Sequence, residues 1–116
     1  MSILNDNDRI RICFNTLQTE NKLKQKVVNV LMEAWRRIKY HKNEWDEKCN
    51  VLLFPSQAKE AKEAGLITIS FGIETPRILH WYKLTPKGIE LLKPIDVPMS
   101  EELNDYLFNR KFIWTF

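Results

Sequence analysis

Between Pro55 and Pro94 the chain is punctuated so closely that few folds accommodate it. Ser56 reads as a helix N-cap, Ala58, Ala61 and Ala64 recur as one narrow buried face, and Gly65 supplies the left-handed residue that ends such a helix. Leu66 to Phe71 then reads as a strand, FGIETPR as a turn carrying Gly72 and Pro76, and Ile78 to Leu84 as the returning strand. Thr85 caps a further helix, Pro86 takes its first position, Leu84 can pack on Ile89 as a hydrophobic staple, and Pro94 stops it. Residues 55–93 are therefore expected to form helix, two-stranded hairpin and helix.

The region before Pro55 is set by apolar spacing. Asp8 reads as an N-cap, followed by Ile10, Cys13, Phe14 and Leu17 on one helical face; the alternation Ile10, Ile12, Phe14 would suit a strand, but Leu17 extends only the helical period. Lys22 to His41 is expected to be one helix with Val27, Leu31, Ala34, Trp35 and Ile38 as its apolar stripe, widened by Val28 and Val30, and with its basic residues on the remaining face. Over residues 43–54, Trp45, Cys49, Leu52 and Leu53 fit a helical face while Val51 to Phe54 fits a short buried strand; the reading adopted is a short helix.

At 116 residues, 44% of them hydrophobic and 28% charged, the chain is expected to be one folded domain over residues 1–116, too apolar for a disordered segment. The longest continuous apolar run, Val51 to Pro55, falls far short of the roughly 20 residues of a membrane helix, and MSILNDNDRIRI lacks the basic start and apolar core of a signal peptide. A cytoplasmic location follows as the expectation. Cys13 and Cys49 lack CxxC spacing, and His41 and His80 stand far apart, so neither a disulfide, a metal site nor a cofactor is expected. The net charge of +3 is modest but unevenly spread: Lys22, Lys24, Lys26, Arg36, Arg37, Lys39 and Lys42 face a single Glu33, whereas Asp96 to Asp105 carries only acids. The basic run reads either as a face that follows phosphates or as the wet side of an amphipathic helix.

The order of a helix ending in Gly65, the strand opening Leu66–Ile67, a hairpin closing Tyr82–Lys83–Leu84, and Thr85–Pro86–Lys87–Gly88 resembles winged helix-turn-helix regulators of the MarR and PadR type. The resemblance rests on Gly65, Leu66, Ile67, Tyr82, Leu84, Thr85 and Gly88 and covers about a third of the chain. It implies an α+β, mostly helical fold: N-terminal helices over 8–41, recognition helix, two-stranded β-hairpin wing and closing helix over 55–93, and a C-terminal helix and tail over 99–116. It also implies binding of double-stranded DNA, as a small transcriptional regulator or DNA-associated factor, and a homodimer built from helices outside the wing.

On that basis the candidate nucleic-acid contacts are Gln57, Lys59 and Lys62 on the recognition helix and Arg77, Trp81 and Lys83 on the wing. The parity of the returning strand sends Tyr82 and Leu84 inward, with Ile78 and His80 on their side, and Arg77, Leu79, Trp81 and Lys83 outward. Trp81 can stack on a partner or lie under the tail. In AKEAKEA, Lys59 and Lys62 are balanced by Glu60 and Glu63, and Gln57 is the one side chain suited to reading a base edge, so phosphate contact should outweigh sequence discrimination. No Gly-rich phosphate loop, HExxH or GxSxG is present, and the chain is not expected to be an enzyme. The second reading is a protein-interaction module, or an inhibitor of a nucleic-acid-processing complex, motivated by the mixed charge of that helix and the aromatic C-terminus. Ser100 should cap a last helix with Glu101 and Glu102 in its first turn and Leu103, Tyr106, Leu107 and Phe108 on its apolar side. Leu103, Leu107, Phe112, Trp114 and Phe116 are the candidate dimer or partner surface, with burial against the chain's own first helix as the other option.

Overall fold

The computed structural model describes residues 5–41, 50–71 and 80–110. The chain is a mostly helical α+β protein in the order α1 (Asp6–Asn21), α2 (Gln25–Tyr40), β1 (Asn50–Leu53), α3 (Pro55–Glu63), β2 (Ile67–Phe71), β3 (His80–Leu84), α4 (Pro86–Leu92) and α5 (Glu101–Arg110).

Helix α1 follows the helical period, and Ile10, Phe14 and Leu17 are its buried residues. Its cap is Asn5 rather than Asp8: the Asn5 Oδ1 accepts the Asp8 N–H at 2.8 Å. Asp6 and Asp8 then lie in the first turn, where their charge complements the helix dipole. The helix ends at Lys22, which adopts the left-handed conformation (φ 52°) and donates its N–H to Gln18 and Thr19 carbonyls. Lys22 thus closes α1 instead of opening α2, and the second helix starts three residues later than its apolar spacing suggests.

Helix α2 is the axis of the core. Val27, Val28, Val30, Leu31, Met32, Ala34, Trp35 and Ile38 are all buried, and Phe14 meets Trp35 edge to face with ring centroids 6.3 Å apart. Burial extends to the polar side as well, since Asn29, Glu33 and Arg36 are also enclosed. Arg36, expected on the wet face with the other cations, is only 7% exposed because α5 lies over it.

The sheet has three antiparallel strands in the order β1-β3-β2. Residues 50–53, read as the end of a short helix, are a strand paired with β3, Val51 against Tyr82 and Leu53 against His80. Pairing on the free edge of the hairpin decides between two conformations that the short apolar run fits equally well. Residues 43–49 lie outside the described residues. On the other side, Ile67 pairs with Leu84, Thr68 with Lys83 and Ile69 with Tyr82, and the register shifts before Phe71 meets Trp81. The expected tip between Phe71 and Arg77 lies outside the described residues.

Helix α3 begins at Pro55 after the Phe54 cap, so Ser56 sits inside the first turn rather than at its N-cap. Proline at the first helical position loses no bond, because its missing N–H would have no intrahelical acceptor. Ala58 and Ala61 are buried, and Gly65 takes φ 76° as the C-terminal glycine that ends the helix. Thr85 caps α4 by accepting the Gly88 N–H at 3.2 Å. Ser100 caps α5, its Oγ accepting the Leu103 N–H at 3.1 Å. No helix among the described residues is long and apolar enough to cross a membrane.

Candidate nucleic-acid interface

Helix α3, strand β3 and the start of α4 converge on one joint. The Thr85 hydroxyl donates to the Gly65 carbonyl at 2.6 Å, the Thr85 N–H donates to the Leu66 carbonyl at 3.0 Å, and Lys87 Nζ reaches the Ala64 carbonyl at 3.4 Å. Gly88 makes this approach possible, since a Cβ there would collide with the Leu66 carbonyl oxygen. The end of α3 is thereby tied to the base of the hairpin.

On that frame Lys59 and Lys62 are exposed on α3, one turn apart, and among the described residues neither joins an ion pair. Glu60 between them turns toward α2, where its Oε1 meets Lys24 Nζ at 3.4 Å. Of the two acids expected to balance the helix, one is therefore directed away from the lysines and Glu63 alone stays exposed beside them. Gln57 is not free to read a base edge with its oxygen: the Oε1 accepts the Phe54 N–H at 3.1 Å and helps start the helix. Phe54 itself is 50% exposed.

Strand β3 alternates as its parity requires. Tyr82 and Leu84 are buried, and Trp81 and Lys83 are half-buried on the opposite side. Burial raises the Tyr82 hydroxyl above its ordinary tyrosine value. The Trp81 ring is not bare, because the Arg37 guanidinium lies over it 5.6 Å from the centroid. Nothing local in the sequence pairs these two residues. Arg77 lies outside the described residues.

The basic run from Lys22 to Lys39 is partly used within the chain. Arg37 covers Trp81, Lys39 Nζ stands 5.9 Å from the Trp35 centroid, Lys24 meets Glu60, and Arg36 is buried. Arg36 gives Glu33 two bonds, at 2.9 and 3.1 Å, and Asn104 of α5 a third at 2.8 Å. Lys22, Lys24 and Lys26 remain exposed, Lys24 with 75% of its side chain accessible beside Glu60.

Leu103 and Leu107, placed on the candidate dimer surface, are fully buried in the chain's own core, where α5 packs on α2 and α1. Phe112, Trp114 and Phe116 lie outside the described residues. Among the described residues no group of three or more His, Cys, Asp or Glu side chains is placed to hold a metal ion. Helices α2 and α3 pack on each other but are joined through residues 41–54 and strand β1, not through the three- or four-residue link of a compact helix-turn-helix. Compared with protein-family models, curated proteins and solved structures, the chain gives no match.

Proposed function

We propose that this chain is a nucleic-acid-binding protein of winged-helix type that contacts duplex DNA through α3 and the β2–β3 hairpin, in the manner of a small transcriptional regulator or DNA-associated factor. The observation that carries the reading is the pair Lys59 and Lys62, exposed on a helix locked by the Gly65–Thr85 joint to the hairpin that follows it. The β1-β3-β2 order, with that helix leading directly into β2, supports it. Lysine ammonium groups one helical turn apart neutralise neighbouring phosphates without reading bases, and with Gln57 holding the helix start the contact is one of affinity more than sequence. Lys83 on β3 adds a half-buried cation to the hairpin. The reading is tested by reversing charge at Lys59 and Lys62 together. Affinity for random duplex DNA at low salt should fall by an order of magnitude or more, and unchanged affinity would place the contact elsewhere.

A second reading, a protein-interaction module acting on a nucleic-acid-processing complex, draws on a specific observation. Arg36, Arg37 and Lys39 of α2 are taken up by Glu33, Trp81 and Trp35, while Phe54 and Ile69 stand 50% and 42% exposed at the head of α3 and on β2. Such residues suit a protein partner better than a phosphate backbone.

A further inference from the structure

The guanidinium groups of Arg9, Arg11 and Arg36 each meet a carboxylate, those of Asp6, Asp8 and Glu33. Among the described side chains Arg37 is the exception. No carboxylate meets it there, and its guanidinium lies over the Trp81 ring of β3, 5.6 Å from the centroid. An indole face attracts a cation without neutralising it. The ring also offers no oxygen to the N–H fork, which is the part of an arginine that grips a carboxylate or a phosphate at two points. Arg37 therefore keeps both its charge and its preference for an anion of that shape.

Its surroundings hold nothing to balance that charge. Trp81 and Lys83 share the outward side of β3, Arg37 joins them from α2, and all three side chains are half-buried. Neither β2 nor β3 contains an acidic residue. Two half-buried cations on one side of a hairpin bear a desolvation cost that an anionic partner would relieve. Helix α3 stands at the other end of α2, where Lys24 meets Glu60. At 1.5 Å per residue, Arg37 lies roughly 20 Å further along that helix.

We infer that Arg37 is a further contact to the phosphate backbone of duplex DNA, held in place by Trp81, and that it takes a phosphate which Lys59 and Lys62 do not reach. The inference rests on the nucleic-acid reading and adds the end of α2 to that interface. It makes Trp81 a positioning residue and not a stacking platform, because the ring face that a base would need carries the guanidinium.

Binding of the full chain to random duplex DNA over a range of salt tests it, with circular dichroism to confirm that each variant is folded. Arg37→Gln should weaken binding at low salt by about tenfold and make the slope of log affinity against log salt shallower by about one. That change should add to the one of about two from replacing Lys59 and Lys62 with glutamine, since the sites are far apart. Arg37→Lys should keep the slope, because the charge remains, yet bind about threefold more weakly, because an ammonium has no two-point grip. Trp81→Leu should cost nearly as much as Arg37→Gln, the two together little more than either, and Trp81→Phe much less, because a ring is still there to hold the guanidinium. A purely structural role would move stability and leave the salt slope alone. If the natural protein binds and the lysine replacements act as stated, an unchanged slope in Arg37→Gln, or full additivity of Arg37→Gln with Trp81→Leu, overturns this contact and leaves α3 in place. A natural protein that does not bind duplex DNA at low salt overturns the nucleic-acid reading and this contact with it.

Discussion

Arg36 and Glu33 meet as a two-point ion pair inside the α2–α5 contact, with Nη2–Oε1 at 2.9 Å and side-chain exposures of 9% and 3%. The guanidinium also donates to Asn104 at 2.8 Å and lies 5.5 Å from the centre of the Phe108 ring, so a single buried cation ties α2 to two turns of α5. Removing one partner leaves the other charged and enclosed. Glu33→Ala or Arg36→Ala should therefore cost about 3–5 kcal/mol, measured by urea unfolding. Replacing both with apolar residues of similar volume should cost much less than the sum of the single changes. If the single variants lose less than about 1 kcal/mol, the pair is solvated in solution and the clasp is not buried.

The joint between α3 and α4 makes a second expectation. Gly88→Ala should destabilise the protein by about 1–3 kcal/mol, because the added methyl meets the backbone carbonyl of Leu66, which has no rotamer to change. Thr85→Ala should cost about 1 kcal/mol through the lost cap, together with the lost bond to Gly65. Gly65→Ala meets no neighbour, so its penalty of roughly 1 kcal/mol should come from the left-handed backbone alone. Thermal melting separates these outcomes, and a Gly88→Ala variant as stable as the parent would contradict the close approach.

Alkaline pH supplies a third. Burial lifts the Tyr82 hydroxyl, and the Glu101 carboxylate beside Tyr40 lifts that one, so both titrate higher in the folded chain than in the unfolded one. Between the unfolded and folded values the unfolded state binds fewer protons, and stability must fall as pH rises. The contribution is present in full below the ordinary tyrosine range and lost above it. Unfolding followed at increasing alkaline pH should show that decline, and it should lessen in Tyr82→Phe. A slope identical in parent and Tyr82→Phe would mean that the Tyr82 hydroxyl is not withheld from water.

The parts of the fold that could be read from the sequence are those in which one residue does a local job. Gly65, Thr85 with Pro86, and the parity of Tyr82 and Leu84 each carry their meaning within a few positions, and the hairpin and both flanking helices stand where those residues put them. The parts that could not be read depend on distant partners. Residues 50–53 become a strand because β3 offers an edge, Arg36 is buried because Asn104 and Phe108 reach it, and Arg37 covers Trp81 from another element. Leu103 and Leu107 misled for the same reason: an apolar helix face looks alike whether it is covered by its own chain or by a copy. Caps shifted by three residues, from Asp8 to Asn5, and by two, from Ser56 to Phe54, because the Asn5 side chain supplies the acceptor and Pro55 favours the first turn.

Affinity for random duplex DNA as a function of salt tests the central claim most directly, because each phosphate neutralised by a lysine releases a counterion. For the natural protein the logarithm of the affinity should fall linearly with the logarithm of salt concentration, and replacing Lys59 and Lys62 with glutamine should make that slope shallower by about two. Binding that is absent at low salt, or a slope that the two substitutions leave unchanged, would contradict the assignment of α3 as the DNA-contacting helix.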